Sequence, residues 1–182
     1  MTSKISIAEI LKHHFVTYKD ENGKNQYMDW LVLLGLPVGI AAVFVCLGVD
    51  LTGAYANIVT VGAIFAGLLL NLLILIYDQK AKLDSSPLKG DDPGYNQYSL
   101  RLKVICEVHA NISYSIVVCL IAVMFSVIGS TGWRGIADIP KVGCKIEFAA
   151  FLVDFPLIVL SFHLVLTIFM VLKRVHRLMV VS

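Results

Sequence analysis

Most of the chemistry in this sequence turns on Asp154, which sits inside a long apolar run two positions before Pro156. A carboxylate in hydrocarbon is costly, so it must face a bundle interior or a wet cavity. Two readings stand side by side. Asp154 is either a pore-lining or gate carboxylate, part of a cation-selective ring in an oligomer, or an interfacial acid paired with Lys145 or Arg134. Pro156 offers no N–H to the carbonyl of residue 152 and predicts a kink in the helix. His163 follows nine residues after Asp154, which is about 900° of helical rotation, or half a turn away. The two share no face of a straight helix, which argues against an Asp–His relay. For His163 the choice lies between a polar pore group and a buried histidine bonded to a hydroxyl or carbonyl, and the second is preferred.

Asn57 and Asn71 are 14 residues apart, about 40° from one face of a helix. With Asn111, Ser113 and Ser115 they serve either as a polar lining or as hydrogen-bonding glue between helices, with glue preferred. Gly35-x3-Gly39 and Gly62-x4-Gly67 are small-residue contacts that let helices approach, and Pro37, inside the first, predicts a bend. Cys46, Cys106, Cys119 and Cys144 are isolated. They lack the paired outer-loop cysteines of quinone-linked disulfide-generating oxidoreductases. His109 and His163 are too few for the usual haem ligand pairs. No zinc spacing, nucleotide loop or nucleophile elbow is present. Neither catalytic residue, metal nor cofactor is expected, and the chain reads as a non-enzyme.

The elements that must position these groups follow from the distribution of charge. Across 182 residues, 58% are hydrophobic, 15% are charged and mean hydropathy is +0.80, against roughly 25% charged in soluble domains. A net charge of +2 does not by itself point to a nucleic-acid partner. Residues 28–49 carry one charge, Asp29; residues 51–77 carry none. Residues 108–133 are interrupted only by His109, and residues 148–172 only by Asp154 and His163. Each run covers the roughly 20 residues that cross a hydrocarbon core about 30 Å thick. A membrane barrel would alternate instead. The first run is no signal peptide, since no small-residue cleavage pattern follows Val49. The expected fold is therefore an all-α integral membrane protein with four transmembrane helices, plus an N-terminal amphipathic cytoplasmic helix.

That last helix comes from the Ser6-Ile-Ala-Glu9 capping box and the helical recurrence of Ile7, Ile10, Leu11, His14, Phe15 and Tyr18. It either lies on the bilayer or, as preferred, packs on partner helices beneath the pore. Twelve of the fifteen Lys and Arg residues fall in the N-terminal segment, the 78–107 loop and the tail; Arg134, Lys141 and Lys145 are the rest. The positive-inside rule then puts both termini and the middle loop of a multi-pass membrane protein in the cytoplasm. Trp30, Tyr77 and Trp133 stand at helix ends, where aromatic belts form. The expected division is 1–27, cytoplasmic helix and turn; 28–77, transmembrane helices 1 and 2; 78–107, cytoplasmic loop and helix extension; 108–172, transmembrane helices 3 and 4; and 173–182, cytoplasmic tail. Lys80, Lys82, Lys89, Arg101, Lys103, Lys173, Arg174 and Arg177 share the cytoplasmic side. They are candidates for holding phosphates. The alternative for them is ordinary positive-inside bias with lipid headgroup binding, which is the preferred reading.

Two stretches carry a family resemblance: Ile10-Leu-Lys-His-His14-Phe15 followed by Asp29-Trp30 and Pro37, and His109-Ala-Asn111-Ile-Ser113-Tyr114. In them the chain resembles the small four-helix membrane effectors of Hailong-type antiphage defence systems, and secondarily the membrane subunit of Kiwa-type defence. The Hailong resemblance implies a homo-oligomeric ion-conducting pore, taken as a tetramer, in the bacterial inner membrane. It also implies a nucleotidyltransferase partner whose DNA oligomers bind and control the pore, and opening that depolarises the infected cell in abortive infection. The competing expectations are a non-conducting sensor subunit that recruits a cytoplasmic defence partner, as in Kiwa, and a small proton-coupled transporter.

Overall fold

The computed structural model describes residues 31–88, 90–131 and 148–180. Every regular element among them is helical. The N-terminal amphipathic helix expected over 1–27, Lys89, and the Arg134, Lys141 and Lys145 loop lie outside the described residues.

The first apolar run forms a five-residue π-helical turn, Leu31–Gly35, leading into an α-helix, α1, Leu36–Cys46. Together they reach roughly 24 Å at about 1.5 Å per residue, short of a hydrocarbon core about 30 Å thick. Pro37 is buried in the first turn of α1, where its missing N–H is tolerated. α1 ends on a Schellman motif. Gly48 takes φ +65°, a conformation that favours glycine. Its N–H bonds the Val45 carbonyl at 3.0 Å, and the Val49 N–H bonds the Phe44 carbonyl at 3.2 Å. Asp50 then accepts the Thr52 N–H at 2.9 Å and also its hydroxyl, making a polar turn before the next helix.

The other three helices are long. α2 spans Tyr55–Asp84, α3 Tyr95–Ser130 and α4 Phe148–Val180. Each contains a segment long and apolar enough to cross a membrane. α2 and α4 outrun the apolar stretches at 51–77 and 148–172. Beyond Tyr77 an Asp78–Lys82 pair at 2.8 Å stands one turn apart and favours continued helix. Gly94, at φ +94°, introduces α3, which takes in the stretch 98–107. Ile64, Leu68, Ile74, Met124 and Phe169 are all more than half exposed, an outward apolar surface that suits lipid and not water. Burial is uneven: 17% of the most apolar window of α2 is buried, against 44% of that of α3.

The chain packs as two compact units. One contains Leu68–Ile116 and the residues from Thr167 onward. Its core joins Leu69 and Ile76 of α2, Ile105, Val108 and Ile112 of α3, and Val171 of α4. The other contains the described residues up to Gly67 together with those of Val117–Leu166. Its core joins Tyr55 of α2, Ala122 of α3, and Val153 and Leu157 of α4. Lipid tails are as apolar as leucine, so burial of these side chains gives little driving force in a bilayer. Close packing and hydrogen bonds between helices decide the arrangement.

Candidate functional site

The second unit buries Ser126, Asp154 and His163 in its interior. Asp154 is 5% exposed, and its Oδ1 accepts a hydrogen bond from the Tyr55 hydroxyl. Tyr55 opens α2, and the helical frame holds it in three ways. Its own backbone carbonyl accepts the Ser126 hydroxyl of α3 at 2.9 Å. Its ring lies over Gly129, where a Cβ would come within 2.5 Å of the ring carbon bearing the hydroxyl. Ala122, Val153 and Leu157 surround it. Only a residue without a side chain at 129 leaves room for the ring to reach α4. The carboxylate therefore faces the interior of its own chain and is met by a phenol, a partner outside the Lys145 and Arg134 alternatives.

His163 serves a different neighbour. It is 4% exposed, and its Nδ1 donates to the Leu33 carbonyl at 3.1 Å; the carbonyl can only accept, so that nitrogen carries the proton. Leu33 lies four residues before Pro37, and a proline at that position has no N–H to offer the carbonyl behind it. His163 thus gives the π turn a donor from α4 where Pro37 offers none. Asp154 and His163, half a turn apart on α4, are both buried because they meet different elements. No relay joins them.

The close approach of α2 and α3 is set at Gly62. A Cβ there would meet the Val123 methyl at 2.5 Å, and the Cys119 thiol donates to the Gly62 carbonyl at 3.1 Å. A Cβ added at Gly39 or Gly67 would have nothing within 4 Å, and one at Gly35 would meet only Leu31 of its own turn. Of the two small-residue motifs, then, only Gly62 makes a close contact with another helix among the described residues.

The amides separate. Asn111 is fully buried in the first unit, and its backbone carbonyl accepts the Ser115 hydroxyl at 2.8 Å. Ser113 is half-buried, while Asn57 and Asn71 are exposed on α2. Among the phosphate-binding candidates, Lys82, Lys103 and Lys173 are exposed and Lys80 and Arg101 half-buried. Lys82 is already paired with Asp78. The backbone at Arg174 and Arg177 continues α4. Among the described residues no group of three His, Cys, Asp or Glu side chains is placed to hold a metal ion.

Tyr55, Ser126, Gly129 and Leu33 are the participants that sequence reasoning missed. Tyr55 and Asp154 are 99 positions apart, and no local pattern links them. The one available signal was Pro37, which marks the Leu33 carbonyl as lacking its usual donor.

No protein-family model matches the chain, and no curated protein or solved structure matches it.

Proposed function

We propose that the chain is a four-pass inner-membrane protein, with both termini cytoplasmic, that assembles into a homo-oligomeric gated ion pore. The observation that carries this reading is the buried Asp154 carboxylate bonded to Tyr55 at the start of α2. An ionisable group kept at membrane depth is a functional candidate by default. This one ties the first turn of α2 to α4, so breaking and making one hydrogen bond frees and holds a membrane-crossing helix. The π turn at Leu31–Gly35, buttressed by His163, gives the shorter apolar helix a similar device, since π segments recur at functional positions. Four helices enclose no channel of useful width, so several copies are part of the proposal. The resemblance in the 10–15, 29–37 and 109–114 motifs supplies the setting: antiphage defence, with DNA oligomers from a partner nucleotidyltransferase acting on the cytoplasmic side and depolarisation as the outcome.

The test is purification in mild detergent followed by reconstitution in planar bilayers. The expected result is an oligomer with discrete conductance whose open fraction changes at least severalfold in Asp154→Asn. A monomer with no conductance would sink the proposal.

A second reading has one observation in its favour. Asp154 is satisfied within a single chain, as a purely structural pair would be in a non-conducting sensor subunit. If Asp154→Ala leaves phage protection intact, that reading replaces the pore.

A further inference from the structure

Asp154, His163, Ser115 and Ser126, all buried, find hydrogen-bond partners among the described residues, but the exposed Asn57 and Asn71 do not. Both are exposed on α2, and neither carboxamide has a hydrogen-bond partner among the described residues. They lie within the 27-residue charge-free stretch 51–77, whose midpoint is Ile64. Each amide is seven positions from Ile64, about 10 Å along the helix, and so inside a core whose half-thickness is about 15 Å. A carboxamide carries two N–H donors and an acceptor oxygen, and lipid tails satisfy none of them. Thr60, on the same side of α2, escapes this difficulty because its hydroxyl bonds the Ala56 carbonyl of its own helix at 3.0 Å. Gly67, also on that side, has open space where a side chain would stand, so another backbone can come close.

We propose that this stripe of α2, running through Asn57, Thr60, Ile64, Gly67 and Asn71, is where copies of the chain meet, α2 beside α2 around the assembly axis. The occupant is a second copy because an amide both donates and accepts and can pair with its own symmetry mate. A lone carboxylate or ammonium could not do so. Copies inserted in one direction bring Asn57 level with Asn57 and Asn71 level with Asn71. The inference rests on the pore reading and deepens it by naming the lining. Two rings of neutral amides and a hydroxyl bound the path, with no fixed charge over its length. Ions pass with weak discrimination between cations and anions, and Asp154, inside the chain's own packing, does not set selectivity.

Cysteine cross-linking tests this in full-length protein in native-like bilayers, with Cys46, Cys106 and Cys144 replaced by serine and the buried Cys119 kept. The substitutions are Asn57→Cys, Ile64→Cys, Asn71→Cys and, about 100° round the helix from Asn71, Leu70→Cys. Oxidation is expected to convert most of the first three into disulfide-linked dimers and to leave L70C monomeric. I64C removes no amide, so it reports proximity even if loss of an amide weakens assembly. In reconstituted channels the K⁺/Cl⁻ permeability ratio should stay within about threefold, and Asn71→Asp should raise it at least about tenfold. If I64C stays monomeric while the parent protein is oligomeric and conducts, the α2 interface is overturned and the pore reading survives. A parent protein that neither assembles nor conducts overturns both.

Discussion

At the residue scale, the tyrosine–carboxylate pair shows how a bundle of apolar helices keeps a costly group. Asp154 Oδ1 takes a phenolic hydrogen bond from Tyr55, whose backbone carbonyl accepts the Ser126 hydroxyl and whose ring fits only because residue 129 is glycine. The position of the donor thus depends on two other residues on α3. Tyr55→Phe removes the donor and retains the ring, and is expected to destabilise the fold by about 1–2 kcal/mol. Asp154→Asn keeps an acceptor oxygen and should cost less. Unfolding titrations in mixed micelles, run on both single variants and the double, measure this. Additive effects of the two substitutions would show that the pair does not act as one unit.

At the scale of the element, Pro37 shapes the shortest apolar helix. Pro37 has no N–H, so it cannot donate to the Leu33 carbonyl four residues earlier, in the π turn. His163 of α4 donates to that carbonyl. The dependence can be tested by restoring the backbone donor. In the wild-type background His163→Ala should cost about 1 kcal/mol or more. In a Pro37→Ala background, where residue 37 regains its N–H, the same change should cost less. A double-mutant cycle by denaturant titration gives the coupling, and equal costs in both backgrounds would show that Pro37 does not create the need for His163. Elsewhere the helices are delimited by short-range chemistry: the Schellman motif at Gly48 closes α1, the Asp50–Thr52 turn leads to α2, and Gly94 introduces α3.

At the scale of the whole molecule, the apolar exterior and the placement of basic residues set the relation to the bilayer. Thiol labelling in intact cells, with the native exposed cysteines replaced, is expected to find Asp50→Cys reactive from outside toward a membrane-impermeant maleimide. Ser86→Cys should react only after lysis. Both positions lie in described loops next to helix ends. The reverse pattern would invert the topology read from the distribution of Lys and Arg. This measurement is independent of conduction and of any partner, so it tests the four-pass arrangement even where no current is seen.

Much about this protein is written in one-dimensional order. Long apolar runs announced the three long apolar helices, because a bilayer leaves a backbone no option but to satisfy itself, and the run length measures the core. The segment around Leu31–Cys46 was equally apolar, yet its π turn and its end at Gly48 came from geometry that composition does not encode. The half-turn between Asp154 and His163 was available from spacing, and with it the absence of a relay. What each residue touches was not. Tyr55 reaches Asp154 across 99 positions, and only because glycine at 129 lets an aromatic ring pass between α3 and its neighbours. The split among the asparagines has the same origin: Asn111 turns inward while Asn57 and Asn71 face out, since burial depends on which helix faces are covered. Periodicity places residues around one axis, and the packing of several axes decides which side is inside.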